Sequence, residues 1–175
     1  MYDIAIIGLG PAGAVLAKHL TKNLKVIALD KKSSNGGGFT KPCGGMLAPD
    51  AQKSFSRFDM TLPKDVLVDP QIFSVKTIDM KSRLVRHYQR HYINMDRDRF
   101  DRWLIDMIPP NVEVRRDVIC SGITRKNGGF EISFVEDGRP AAVEARYVVG
   151  ADGANSLVRR ELYPDFKIHA FLVII

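Results

Sequence analysis

Apolar positions follow two rhythms along this chain. Residues 2–7 (Tyr-Asp-Ile-Ala-Ile-Ile) and 24–30 (Leu-Lys-Val-Ile-Ala-Leu-Asp) are short, nearly unbroken apolar runs, as in strands covered on both faces. Between them Ala12, Val15, Leu16 and Leu20 recur at helical spacing, which predicts a helix over 11–22. A strand–helix–strand unit predicts two parallel strands joined by a right-handed crossover. Residues 31–50, rich in Gly, Ser, Asn, Lys and Pro, read as a long loop, and such a loop in a compact domain usually carries function.

Further along, 72–79 and 83–93 are strand candidates of weak periodicity. The clearest helix covers 97–108: Phe100, Trp103, Leu104, Met107 and Ile108 form one stripe, Asp96 is placed to cap it and Pro109-Pro110 ends it. Short strands are predicted at 112–115 and 117–123, and Cys120 within the second reads as core. Residues 129–135 alternate strictly, Asp137-Gly138 is a hairpin turn signal, and 141–149 form the returning strand. A helix is expected over 154–162 and a last strand from Lys167. The sequence stops at Ile175 inside the apolar run Phe171–Ile175. An unpaired apolar edge invites association. The expectation is therefore a truncated domain, or one whose sheet is completed by a partner or by self-association through this strand.

Composition narrows the class. The chain has 175 residues, 45% of them hydrophobic and 26% charged, enough for a real core. No apolar run approaches the length of a membrane span, and no signal peptide opens the chain. Two cysteines far apart are not a disulfide framework and fit a reducing compartment, so the expected address is the cytoplasm. The net charge of +6 is either plain surface solubility or a preference for an acidic ligand or an anionic membrane surface, which leaves peripheral membrane contact open. The basic residues are scattered and no nucleic-acid motif is present, so nucleic acid is not expected as a partner. His19, His87, His91 and His169 lack the companions of a metal site, and no metal is expected.

Chemistry enters at Gly8-Leu9-Gly10-Pro11-Ala12-Gly13, a GxGxxG that leaves a predicted strand and opens a predicted helix. Gly8 permits the tight turn, Gly10 admits a pyrophosphate close to the backbone, and Gly13 lets the helix pack on the sheet. The helix N-terminus then offers free N–H groups to the phosphates. Asp30 stands at the end of the second strand, 22 residues after Gly8, where a carboxylate accepts from an adenosine ribose. A carboxylate there disfavours a 2′-phosphate, which favours FAD or NAD over NADP.

These residues carry a resemblance. Tyr2 through Gly13 resembles the N-terminal signature of FAD-containing oxidoreductases of the glutathione-reductase-like fold. Lys41-Pro42-Cys43-Gly44-Gly45 resembles a loop of the geranylgeranyl reductase family. Gly150-Ala151-Asp152-Gly153-Ala154-Asn155-Ser156 with Arg159, and Asp96-Arg97-Asp98-Arg99-Phe100-Asp101, resemble motifs shared by that family and the flavin aromatic hydroxylases. The motifs stand in family order over essentially the whole chain.

The resemblance implies an α/β fold: a Rossmann-like FAD-binding domain with a parallel central sheet, a three-stranded antiparallel meander and the start of a β-rich substrate domain. On this reading 1–175 is an FAD-binding domain incomplete at its C-terminus, with 50–95 a partial substrate-domain insertion. It implies that Gly8, Gly10, Pro11, Ala12 and Gly13 hold the FAD pyrophosphate, with Asp30 and Lys31 at the adenosine end. Arg97 would reach the phosphate–ribityl part, or else be an exposed helix-start arginine. The backbone near Val118 would meet adenine. Asp152 would reach the ribityl–pyrophosphate region with Gly153 allowing close approach, or else cap a turn that Ser156 and Arg159 hold.

Cys43, Gly44 and Gly45 would lie beside the isoalloxazine ring, the paired glycines letting the chain pass close to it. Cys43 is the one catalytic candidate, touching flavin or substrate or serving in redox chemistry, against a role as loop filler. The implied activity is reduction of prenyl double bonds by FAD. The implied partners are a prenyl lipid or other apolar substrate and a nicotinamide or ferredoxin-type electron donor. Two alternatives stay open: a fragment of a flavin-dependent hydroxylase or electron-transfer dehydrogenase, and a non-catalytic nucleotide-binding module.

Overall fold

In the computed structural model, residues 1–33 and 43–166 are described. The chain divides into two compact units, one of residues 1–40 with 104–175 and one of 41–103.

The first unit is built on its most apolar segments. Strand β1 (Tyr2–Ile7) and strand β2 (Val26–Leu29) pair in parallel across helix α1 (Pro11–His19). Every residue of β2 is buried, as expected of an interior parallel strand. The helix ends at His19, short of the predicted Lys22, because Leu20 is already extended. Strand β2 is likewise shorter than the run 24–30.

Further elements follow along the chain. They are strand β3 (Met46–Leu47), helix α2 (Pro49–Arg57), strands β4 (Ile72–Ile78) and β5 (Val85–Asn94), and helix α3 (Arg97–Asp106). Then come strands β6 (Val112–Arg115), β7 (Ile119–Lys126), β8 (Gly129–Glu136) and β9 (Arg139–Gly150), and helix α4 (Leu157–Leu162).

The six-stranded sheet of the first unit runs β6-β2-β1-β9-β8-β7. Its first four strands are mutually parallel and the last three form an antiparallel meander. Strand β9 serves both parts. Its early residues pair with β8, its late residues pair with β1, and Ala145, fully buried, faces Phe130 on one side and Tyr2 on the other. The Asp137-Gly138 turn has positive φ at both residues (50° and 74°), the tight hairpin the dipeptide predicts. Apolar side chains fill both faces. Ile7, Ile27, Leu29, Ile132 and Phe134 pack on one, and Ile6, Leu9, Ala17, Ala28 and Val112 on the other.

The parallel strands follow the doubly wound order third, second, first, fourth. The direction of strand addition therefore reverses between β1 and β9. Open α/β sheets bind their ligands outside the carboxyl ends of the strands at such a switch point. The architecture is the α/β, Rossmann-like one expected, with its meander.

The second unit holds a three-stranded antiparallel sheet, β3-β5-β4. It also holds α2, which falls where the sequence reads as loop and continuing β structure. Pro49 at the first helical turn and a polar run whose one aromatic is Phe55 make a helix with too few apolar residues to stand out. Phe55 meets the rings of Phe100 and Trp103 edge-on, at 5.8 and 6.0 Å. Trp103, expected in the core, is only half-buried. Asp96 does cap α3: its Oδ1 accepts from the N–H groups of Asp98 (2.9 Å) and Arg99 (3.0 Å). Helix α3 stops at Asp106, two residues before its predicted end. The predicted strand from Lys167 and the apolar run Phe171–Ile175 lie outside the described residues.

Candidate functional site

Two turns meet at the switch point. One is Gly8–Gly13, leaving β1. The other is Ala151–Gly153, leaving β9. Ile7 and Gly150 pair in register, and the Ala151 N–H donates to the Ile7 carbonyl at 2.8 Å. Motifs some 140 residues apart in sequence are thus locked side by side.

The three glycines separate by what surrounds them. Gly8 has φ +96°, and a Cβ there would lie 2.6 Å from the Ala151 carbonyl oxygen. A Cβ on Gly13 would lie 2.0 Å from the Gly8 carbonyl oxygen. Both are required by the fold itself. Gly10 has φ −66°, which any residue adopts, and a Cβ on it would meet nothing within 4 Å. The space before Gly10 is open, at the N-cap of α1, where backbone N–H groups point outward. Pro11 is the first helical residue and Ala12 is exposed beside it.

Asp30 closes one side. It is 7% exposed, its Oδ2 accepts from the Leu9 N–H (3.1 Å) and its Oδ1 from the Lys32 N–H (3.2 Å). These bonds aim the carboxylate across the glycine turn. The loop after it is fastened to the segment before β7. Asp30 N–H donates to the Arg115 carbonyl, Val118 N–H to the Asp30 carbonyl, and Arg116 Nη2 to the Ser33 carbonyl (2.9, 3.0 and 2.6 Å). The Val118 N–H is therefore committed, and its side chain is buried. Lys31 is exposed.

Asp152 closes the other side, and the capping role foreseen for it is observed. Its Oδ2 accepts from the N–H groups of Leu157 (2.6 Å) and Val158 (3.3 Å), capping α4. Its Oδ1 is buried with no hydrogen-bond partner. A buried carboxylate oxygen left unpaired costs about 1–3 kcal/mol or more, so it calls for a donor. Gly153, at φ +82°, leaves open space where its Cβ would be. Ser156 Oγ accepts from the Arg159 N–H and Arg159 Nη1 donates to the Ala154 carbonyl, so these two residues do hold the turn.

Cys120, read as core, is half-buried and packs against the core cluster of the sheet. Burial pushes its thiol up to about 11, and the negative charges of Asp152 and Asp30 act in the same direction. Only the tertiary structure could reveal this, because β7 is joined to neither carboxylate by any local sequence pattern.

Cys43, Gly44, Gly45 and Arg97 belong to the second unit. Cys43 is exposed, and Arg97 Nη1 donates to its Sγ at 3.7 Å. Arg97 Nε also donates to Asp101 Oδ1 (2.8 Å), so the arginine is a fixed bridge from loop to helix rather than a loose helix-start side chain. Gly45 has a reason of its own: its φ is +65° and a Cβ would lie 2.5 Å from the Met95 carbonyl oxygen. Close packing on the Asn94–Met95 backbone therefore already requires glycine there. Gly44 has an ordinary neighbour, the Met46 methyl at 3.4 Å. Lys41 and Pro42 lie outside the described residues. No group of three metal-ligating side chains occurs among the described residues, and none of their helices is long and apolar enough to cross a membrane.

Residues 108–173 match the family model of an FAD binding domain. The dinucleotide is FAD. The open cradle at Gly10, the carboxylate of Asp30 and the unpaired oxygen of Asp152 fit it. Protein CbrA of Shigella sonnei and of Escherichia coli are each 55% identical over 174 residues, 99% of this chain and 49% of theirs. The chain spans about half the length of the curated relatives it matches. Among solved structures, a geranylgeranyl bacteriochlorophyll reductase-like protein from Thermoplasma acidophilum superposes with a TM-score of 0.73 at 20% identity, over 87% of this chain and 39% of its own. Aklavinone-11 hydroxylase, in complex with FAD and aklavinone, gives 0.70 at 15% identity, over 92% and 34%. The flavin-dependent monooxygenase PieE, with FAD and substrate, gives 0.69 at 15%, over 92% and 32%. These likenesses show the fold.

Proposed function

We propose that this chain is the FAD-binding part of a flavin-dependent oxidoreductase that reduces prenyl carbon–carbon double bonds. The observation that carries the flavoenzyme reading is the two-sided cradle at the switch point: an open backbone at Gly10 flanked by the buried Asp30 and the half-buried Asp152, which has one unpaired oxygen. Gly8 and Gly13 shape the turn, and the backbone of residues 10–13 would hold the pyrophosphate. Asp30 would accept from the adenosine ribose, with Lys31 exposed beside it and the backbone around Val118 near adenine. Asp152 Oδ1 would accept from a hydroxyl of the ribityl chain, with Gly153 leaving room. When bound, FAD supplies a two-electron hydride transfer that side chains cannot perform.

The prenyl reading rests on Lys41–Gly45 and on likeness to the reductase-like structure. Cys43, steadied by Arg97, would be the side chain that meets flavin or substrate. The hydroxylase reading draws on the monooxygenase and hydroxylase neighbours.

One experiment separates the two. Purified protein is loaded with FAD, reduced with dithionite without oxygen, and given a geranylgeranyl lipid. The prenyl reading expects the flavin to reoxidise and the lipid to gain two hydrogens per double bond, one as hydride and one as proton. Reoxidation only on admitting oxygen, with no lipid product, counts against the prenyl reading; the hydroxylase reading requires in addition an oxygenated aromatic product. A chain that takes up no FAD refutes both.

A further inference from the structure

The β4–β5 hairpin has a composition unlike the rest of the surface. Its turn is apolar. Ile78 and Val85 face each other across the last register pair, and Met80 and Leu84 flank the bend. All four are exposed, Met80 at 85%. A hairpin tip in water ordinarily carries small polar residues. Lys81 and Arg83 interleave with these apolar residues, and Lys76, Arg86 and Arg90 stand behind them on the strands, all exposed. Residues 76–91 hold five Lys and Arg against one acid, Asp79.

That acid, itself exposed, folds back onto the bend. Its Oδ1 accepts from the N–H groups of Lys81 (2.8 Å) and Ser82 (3.2 Å), while its own N–H donates to the Leu84 carbonyl (2.9 Å). The tip is therefore a tied structure rather than a loose loop. Along β5, Arg86, Tyr88 and Arg90 alternate onto one face, with the Arg90 guanidinium 5.2 Å from the centre of the Tyr88 ring.

We infer that this hairpin docks the protein on an anionic lipid surface, its apolar tip entering the acyl boundary and its cations meeting the headgroups. The charge complementarity selects an acidic partner, and four aliphatic side chains at the leading edge select lipid over nucleic acid, which has no use for them. The inference does not depend on the prenyl-reductase reading, since it rests on this hairpin alone.

The test is co-sedimentation of the chain with vesicles of phosphatidylcholine alone or with about a quarter phosphatidylglycerol. Binding is expected on the anionic vesicles and not on the neutral ones, weakening as salt rises from about 50 to about 500 mM. Each basic residue near the surface is worth about fivefold in partition, so Arg86→Glu with Arg90→Glu should lower it about 25-fold or more. Met80→Asp with Leu84→Asp should lower it at least about tenfold by removing the buried tip. All four positions are exposed, and circular dichroism of the variants should overlay the parent. Equal binding to both vesicle types, or none to either, overturns the inference. So does undiminished binding by the tip variant, which would reduce the hairpin to a general polyanion surface; retention on a single-stranded DNA column insensitive to the tip change would say the same.

Discussion

Gly8, Gly10 and Gly13 belong to one motif, yet the structure predicts opposite outcomes for adding a single methyl group to each. At Gly8 the φ of +96° lies outside the ordinary range of an alanine, at a cost of about 1–2 kcal/mol. The Cβ, 2.6 Å from the Ala151 carbonyl oxygen, adds about 1–3 kcal/mol of overpacking, since both sides of the contact are backbone. Gly8→Ala should therefore destabilise by about 2–5 kcal/mol, a large share of the about 5–15 kcal/mol that holds a domain together. Gly13→Ala, with 2.0 Å to the Gly8 carbonyl, should cost at least as much. Gly10→Ala is different. Its φ is ordinary and the new methyl touches nothing, so the loss is limited to a poorer N-cap, about 1 kcal/mol or less.

On the proposed reading, the same methyl would fill the space that the pyrophosphate takes. Loss of two charge-assisted backbone hydrogen bonds, about 1.5–3 kcal/mol each, should weaken FAD at least about a hundredfold. Urea unfolding without cofactor, followed by circular dichroism, reads the first quantity. Quenching of flavin fluorescence on titration reads the second. A Gly10→Ala variant that unfolds as early as Gly8→Ala refutes the division of roles. So does one that binds FAD within about threefold of the parent.

Asp152 allows a similar separation. Asp152→Ala should lose the cap on α4, about 1 kcal/mol, together with FAD affinity. Asp152→Asn keeps an oxygen for the Leu157 N–H and should hold stability within about 0.5 kcal/mol while still losing affinity; equal loss of stability in both variants contradicts the assignment. The two cysteines should label in distinct phases. Exposed Cys43 should react first with a maleimide near pH 7.5, and Cys43→Ala should abolish that phase. Cys120, its thiol pushed up to about 11, should react slowly until the pH approaches that value. Because the folded state favours the neutral Cys120 thiol, stability should fall as pH rises from about 9 toward 11 and be unaffected by this group below it. A single labelling phase from both residues speaks against the environment described for Cys120.

Most of the first unit was legible because its local signals agree with its packing. The runs 4–7 and 26–29 are apolar throughout because parallel interior strands are covered on both faces. Phe130, Ile132 and Phe134 alternate because β8 has one buried face. The cap at Asp96 and the turn at Asp137-Gly138 are set by a few adjacent residues and read correctly. Helix α2 did not read, because its order depends on the contact of Phe55 with Phe100 and Trp103, some 45 residues away. Gly45 was read as a ligand-facing glycine; its close approach to the Met95 carbonyl is a further constraint that is invisible in the sequence.

The chemistry divides along the same line. Spacing alone predicted the strand, tight turn, helix and second strand around Gly8–Gly13 and Asp30, because these are local geometry. The tertiary structure decided what each residue of that turn faces. Only the register of β1 with β9 brings Ala151 onto Gly8, leaves Gly10 open and strands one oxygen of Asp152 in the interior. Pairing across about 140 residues is set by which apolar faces bury each other, and no short window of sequence contains that information.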